Sequence, residues 1–290
     1  MKILISFSGG KDSQACLIKA AHEYGSDKIE AVFCDTGWEH PDTYTHIHDV
    51  CKQMDVKLRT LKSKYDFVSL ALYKKRFPST RTRFCTDELK MKPMIDYVLS
   101  LHDSCVIIQG IRAGESHTRA AMEPECMYFQ SYFQANKSGR KESYRGKEVR
   151  EWCKQYDASV LRPIFTWTAQ EVIDCILNAW QQPNPLYSRG YSRVGCFPCI
   201  MCRHREMINI LKDESMKQRL IRVEELVKKC HPSEPTFFST GYIPNWACTN
   251  KSHPTVEDVF KYLSDKNSTL DMFKPEGGYS CMSLYHGLCE

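Results

Sequence analysis

The chain has 290 residues, enough for one large or two small domains, and its 42% hydrophobic and 26% charged content predicts a packed core. It contains no apolar run of about 18 residues, which excludes a hydrophobic membrane span and a membrane partner; its start runs straight into a strand-like segment, with no room for a signal peptide, so a cytoplasmic location is expected. There the fifteen cysteines are read for metal binding or catalysis rather than as a disulfide framework, and the net charge of +5 permits a polyanionic partner without requiring one.

The first stretch, Lys2-Ile3-Leu4-Ile5-Ser6-Phe7-Ser8-Gly9-Gly10-Lys11-Asp12-Ser13, is an apolar β-prone run that ends in Ser-Gly-Gly and opens a helix. Two glycines allow close backbone approach and positive φ. The first helical N–H groups and the positive end of the helix dipole then converge on one spot, an arrangement that binds phosphate. Lys11 adds a cation, and Ser8 and Ser13 add hydroxyls. The spacing is neither that of the Walker loop nor that of the dinucleotide Gly-x-Gly-x-x-Gly turn. Ser8 to Ser13 resembles the PP-loop of ATP pyrophosphatases. That resemblance implies ATP binding, cleavage between the α and β phosphates and adenylylation of an acceptor, with Mg²⁺ spreading the phosphate charge.

Gly25 suits a helix C-cap. Ile29 to Cys34 reads as a second buried strand with Asp35-Thr36-Gly37 at its carboxyl end, where α/β sheets bind ligands. The string Val32 to Tyr44, with Asp-Thr-Gly, Trp38, Pro41 and Thr43-Tyr44, resembles the second-strand motif of the phosphoadenylylsulfate (PAPS) reductase family. A helix is expected from about Asp42 to Met54 and a strand near Val56 to Leu61. Thr86 is read as the N-cap of a helix opened by Asp87 and Glu88, placing Cys85 just ahead of a helix N-terminus with arginines nearby. A low-pKa reactive thiol is the favoured role for Cys85; metal ligation and inert burial are the alternatives. Cys85-Thr86-x3-Lys90-x2-Pro93 also matches that family.

Ser104 to Ile108 forms the next strand. Gly110, Arg112, Glu115 and Arg119 follow it, two arginines suited to an anion and an acid to hold them. The family places the same spacing at its nucleotide and substrate pocket. Residues 121 to about 152 read as an insertion of aromatics (Tyr128, Phe129, Tyr132, Phe133, Tyr144, Trp152) interleaved with Lys137, Arg140, Lys141, Arg145, Lys147 and Arg150. It suits single-stranded nucleic acid or a loop packed on the body equally well. Thr168 caps a helix containing Val172, Ile173 and Ile176. The strings Pro163-Ile164-x2-Trp167-Thr168, Asn184-Pro185-Leu186-Tyr187 and Val194-Gly195-Cys196-x2-Cys199 extend the resemblance over almost two hundred residues.

A long polar helix is expected from Arg203 to Lys229. Cys196-x2-Cys199 presents two sulfurs to one centre, and Cys281 and Cys289 in the tail can complete a four-thiolate set, with Cys85 and Cys202 as competing ligands. Spacing does not separate Zn²⁺ from iron–sulfur; the resemblance favours a [4Fe–4S] cluster. The reductases' catalytic Glu-Cys-Gly-x-His is missing, His286 to Glu290 having a different order, whereas the ATP-binding turn is intact.

The expectation is therefore an α/β protein: a doubly wound, mainly parallel sheet of the adenine nucleotide alpha hydrolase-like type over residues 1–192, and a Cys-rich extension over 193–290. The implied function is an ATP pyrophosphatase-type sulfurtransferase acting on DNA, tRNA or a nucleotide, with a sulfur-donor protein as partner and a homodimer left open. Lys11, Asp12, Cys85 and Arg112 are the expected catalytic residues. Ser8, Gly9, Gly10, Lys11, Asp12, Ser13, Asp35, Thr36, Gly110, Arg112 and Arg119 are expected to bind ATP. The alternatives are a sulfonucleotide reductase and a non-catalytic, zinc-stabilised nucleic-acid-binding protein.

Overall fold

Ile3 and Ile5 point to one side of the first strand and Leu4 to the other, and each side meets its own hydrophobic cluster. A strand buried on both faces belongs inside an α/β sheet. The computed structural model describes residues 1–133, 144–249 and 253–271. In chain order the elements are β1 (Lys2–Ser6), α1 (Lys11–Tyr24), β2 (Ile29–Asp35), α2 (Pro41–Gln53), β3 (Lys57–Lys62), α3 (Phe67–Lys74), α4 (Phe84–Thr86), α5 (Lys92–Ser100), β4 (Cys105–Gln109), α6 (His117–Ala120), β5 (Glu125–Met127), α7 (Gly146–Trp152), β6 (Ala158–Leu161), α8 (Ala169–Asn178), α9 (His204–Leu211), α10 (Glu214–Lys228) and α11 (Val256–Asp271).

These elements form two compact units. One comprises Met1–Asp35, His40–Ser63 and Leu89–Pro185; the other comprises Thr36–Glu39, Lys64–Glu88 and the chain from Leu186 onward. The expected single boundary at 192/193 thus gives way to an interleaved division. The cause is local bonding. The Phe197 N–H donates to the Trp38 carbonyl (2.7 Å) and Trp38 Nε1 to the Pro198 carbonyl (3.0 Å). Arg219 lies over the Trp38 ring (4.1 Å) and donates to the carbonyls of Glu39 and Gly37. The four-residue turn after β2 is therefore built into the cysteine-rich unit.

The first unit carries a six-stranded sheet in the order β3-β2-β1-β4-β6-β5, parallel except for β5 against β6. It is the doubly wound α/β architecture, and its order reverses between β1 and β4. One face holds Ala15, Leu17, Ile47, Val50, Val172 and Ile176 from α1, α2 and α8. The other holds Ile95, Val98, Phe129, Tyr132, Val149 and Trp152. Each buried Leu, Ile, Val or Phe among these contributes about 1.5–3 kcal/mol.

Two local expectations are corrected, and the alternatives left open for the insertion narrow. The insertion's Phe129, Tyr132 and Trp152 are at most 9% exposed, so these rings pack into the core rather than offering a stacking surface; Lys137, Arg140 and Lys141 lie outside the described residues. Helical structure starts at Phe84, one turn before the expected Thr86 cap, and continues as a π-turn over Asp87–Met91. Cys85 therefore sits within the first turn rather than ahead of it. The long polar helix is two, α9 and α10, because the Asp213 side chain accepts the Met216 N–H (3.1 Å) and starts a new helix there.

In the second unit, Trp38 stacks on Phe67 from α3, and Phe67 leads to Phe77 and Phe237. Buried Glu224 on α10 accepts the N–H groups of Phe237 (2.8 Å) and Val256 (2.9 Å), tying two loops to one helix.

Candidate nucleotide site

The carboxyl ends of β1 and β4 lie side by side where the strand order reverses, the position at which open α/β sheets bind ligands. The Ser8–Ser13 turn leaves β1 there. The Ser8 N–H donates to Ser13 Oγ (3.2 Å), and the Ser13 hydroxyl donates to the Gly10 carbonyl (2.9 Å). Gly9 takes a φ of +77°, and a Cβ there would meet Thr43 and Ile47 of α2 at 2.9 Å, so glycine is required on two counts. The first intrahelical bond of α1 runs from the Gln14 N–H to the Gly10 carbonyl (3.0 Å). Helix geometry offers the N–H groups of residues 11–13 no acceptor within the helix. Unlike α2, α3, α8 and α10, α1 begins without a side-chain cap. An uncapped N-terminus after a glycine turn is suited to an anion.

Lys11 and Arg112 converge on one carboxylate. Lys11 Nζ is 2.9 Å from Asp12 Oδ2, and Arg112 Nε is 2.5 Å from Asp12 Oδ1, with both cationic side chains 5% exposed. Two buried positive charges on one acid leave the group with a net positive charge, a further attraction for phosphate. Gly110 ends β4 with no room to spare: a Cβ would lie 2.6 Å from Asp12 C and Ser13 N. The absence of a side chain at 110 lets β4 close on the first turn of α1.

The other expected residues fall as follows. In the sheet unit, Asp35 accepts from the Tyr44 hydroxyl (2.8 Å) and pairs with Lys62 (3.4 Å). Arg119 pairs with Glu115, whose carboxylate also accepts the Arg112 N–H. In the cysteine-rich unit, Thr36 is fully buried and its hydroxyl donates to Glu39 (2.7 Å), with Cys196 Sγ 3.8 Å away. Glu39 and Cys196 also form a β-bridge. The Cys202 N–H closes a turn on the Cys199 carbonyl (2.9 Å), and burial pushes the Cys202 thiol up to about 12. Cys85 is half-buried in α4. Among the described residues, no group of three or more His, Cys, Asp or Glu side chains is placed to hold a metal ion. Of the expected thiolate set, Cys196 and Cys199 share one turn; Cys281 and Cys289 lie outside the described residues. No helix among the described residues is long and apolar enough to cross a membrane.

Sequence reasoning missed a buried polar chain behind the turn. His46 Nε2 is 3.2 Å from Gln14 Oε1, and Gln14 Nε2 donates to Gln181 Oε1 (2.9 Å) and to the Gln182 carbonyl (3.0 Å). No spacing marks these residues, because their partners are about 30 and 170 positions apart. Desolvation holds the His46 pKa down to about 4, against a smaller opposing effect of Asp49, so the ring is neutral and donates from Nε2. The sign follows from linkage. The folded pKa lies below the ordinary 6.5, so the stability it carries is fully present above 6.5 and is lost as pH falls through 4. We predict that wild-type stability drops by up to about 3 kcal/mol across that window, and that His46→Asn flattens the profile. Urea midpoints at pH 7 and 4.5 check this; equal drops in the two proteins would count against it.

The sequence profile of the phosphoadenosine phosphosulfate reductase domain matches residues 2–202, and the chain belongs to that family. The chain is 27% identical to an uncharacterized 37.8 kDa protein of Escherichia phage 186, over 99% of this chain and 96% of that one. It is 28% identical to an uncharacterized protein of Methanocaldococcus jannaschii, over 73% of this chain and 38% of that one. A third relative, at 24% identity over 59% of this chain and 61% of its own, is the adenosine 5'-phosphosulfate reductase of Streptomyces coelicolor. Among solved structures, the PAPS reductase of Candida auris in its phosphate complex matches with a TM-score of 0.47 at 16% identity, over 69% of this chain and 83% of that one. The FMN adenylyltransferase of Candida glabrata matches at 0.45 and 14%, over 67% and 55%.

Proposed function

We propose that the chain is an ATP pyrophosphatase-type enzyme that adenylylates an acceptor oxygen for sulfur transfer to a nucleic acid or nucleotide. The observation that carries this reading is the intact Ser8–Ser13 turn at the switch point, uncapped, with buried Lys11 and Arg112 sharing Asp12. In the proposed first step the acceptor oxygen attacks the α-phosphorus of ATP, the bond to the β-phosphate oxygen breaks and pyrophosphate leaves. Lys11, Arg112 and the N–H groups of the turn stabilise the charge that develops on that leaving group. In the second, a sulfide-level sulfur nucleophile attacks the activated carbon, its bond to oxygen breaks and AMP leaves; no electrons are gained or lost. Gly110 and Asp12 position the turn, and Asp35 and Thr36 serve the adenosine side. Arg119 holds an anionic part of the acceptor, and Cys85 is the candidate sulfur-handling thiol.

Mg²⁺ accompanying ATP would spread the phosphate charge. We further propose Cys196, Cys199, Cys281 and Cys289 as the ligands of a [4Fe–4S] cluster, with Zn²⁺ as the alternative on the same thiolates. Those thiolates would hold the cluster, which would supply sulfur or anchor the tail.

An anaerobic preparation incubated with MgATP and a candidate acceptor, such as DNA or tRNA, tests both proposals. AMP and pyrophosphate in equal amounts, with iron and sulfide in the protein, are expected. ADP and orthophosphate as products would refute the first reading, and colourless protein with stoichiometric zinc the cluster.

A second reading, a sulfonucleotide reductase, is favoured by the family profile and the Streptomyces relative. Thiol-dependent sulfite release from PAPS, with no ATP turnover, would establish it instead.

A further inference from the structure

Asn184 is fully buried and its carboxamide faces the phosphate turn. Its Nδ2 is 3.3 Å from the Gly9 carbonyl oxygen and 3.5 Å from Thr43 Oγ1. Asn184 is joined to Pro185, which restricts its backbone to extended conformations and so limits what the side chain can reach. Gly9 in turn is pressed against Thr43 and Ile47 of α2, so its carbonyl has little freedom to follow a different partner.

The peptide between Gly9 and Gly10 is trans, as the only cis bond among the described residues is Phe197–Pro198. In a trans peptide the C=O and the following N–H point in opposite directions. Holding the Gly9 carbonyl on Asn184 therefore turns the Gly10 N–H to the opposite side of the turn. Glycine at both positions makes this orientation soft without a restraint, because a Gly-Gly peptide can rotate at small steric cost.

We infer that Asn184 is a positioning residue: its carboxamide fixes the Gly9–Gly10 peptide so that the Gly10 N–H is aimed for an anionic ligand before that ligand arrives. The inference rests on the ATP reading only for the identity of the anion; the peptide orientation itself is a property of the unliganded chain. Preorganised donors stabilise charge at no cost of reorganisation during binding. A buried asparagine 175 residues away in sequence thereby acts on the turn through its bond to the Gly9 carbonyl.

The test compares Asn184→Ala with Asn184→Asp in the full chain. The aspartate keeps the volume but replaces the donor by an acceptor facing the Gly9 carbonyl. The probes are inorganic pyrophosphate and MgATP by calorimetry, and the Gly10 amide resonance and its hydrogen exchange without ligand. If Asn184 acts through its donor, both variants bind pyrophosphate about tenfold or more weakly, on the order of one hydrogen bond. Both also shift the Gly10 amide. If Asn184 only fills space, Asn184→Ala leaves the Gly10 amide unshifted, pyrophosphate affinity falls only in Asn184→Asp through repulsion by its carboxylate, and the inference is overturned. Wild type that binds neither probe would remove the ATP reading, and the Gly10 amide of the two variants would then decide the inference: shifted supports it, unshifted overturns it. Should Asn184→Asp fail to fold near neutral pH, Asn184→Ala with an unshifted Gly10 amide overturns it equally.

Discussion

Replacing Lys11 by methionine is expected to leave the fold intact and to lower AMP and pyrophosphate formation by about 10²-fold or more, the range for removing a group that stabilises transition-state charge. The structural half of this expectation follows from the pairing at Asp12. With Lys11 gone, the Asp12 carboxylate keeps Arg112 Nε at 2.5 Å and is not left unpaired, and methionine refills the apolar stem of a side chain that is 5% exposed. The catalytic half follows from position: Lys11 is the first residue of α1 at the switch point, where on the proposed reading the leaving pyrophosphate would be neutralised. Thermal unfolding and product quantification on the same sample separate the two. A retained midpoint with lost turnover supports catalysis; a midpoint that collapses makes Lys11 structural, and undiminished turnover removes it from the reaction.

The Ser8–Ser13 strand–turn–helix was legible because its signals are local. A strand-length apolar run, two glycines and a helix all fall within one stretch, and the structure puts a positive φ at Gly9 and a helix start at Lys11. The parallel sheet was legible from runs of buried β-branched residues. Strand order and β5 were not, because periodicity marks which residues form a strand and not their neighbours, and three residues carry too little pattern. The aromatic insertion stayed open for a related reason: rings between lysines look alike in sequence whether they face water or, as Phe129 and Trp152 do, the core. Thr36 shows the same gap. Its place after β2 was readable, while its bond to Glu39 depends on a turn held by Arg219, 180 residues from Glu39. Long-range polar pairing of that kind also hid Gln14 and His46, and the partners of Asn184.

Gly110→Ala should be the most damaging small substitution in the sheet unit. The new methyl carbon would lie 2.6 Å from Asp12 C and Ser13 N and 2.7 Å from the Asp12 carbonyl oxygen, closer than real contacts allow. All three are backbone atoms of the first turn of α1, so no flexible side chain can move aside. The turn is held from the other side by Asn184 on the Gly9 carbonyl and by Thr43 and Ile47 against Gly9. Either β4 or the start of α1 must shift. Overpacking of this kind costs about 1–3 kcal/mol and can cost more. A shift of even about 1 Å at a phosphate site is enough to cost roughly 10²-fold in rate. Gly114→Ala is the control: nothing lies within 4 Å of its added carbon, so stability and activity should stay at wild-type values. Denaturant midpoints and ATP-to-AMP conversion for the two variants side by side test the close approach. A Gly110→Ala protein as stable and as active as Gly114→Ala would mean that β4 does not close on the turn in solution.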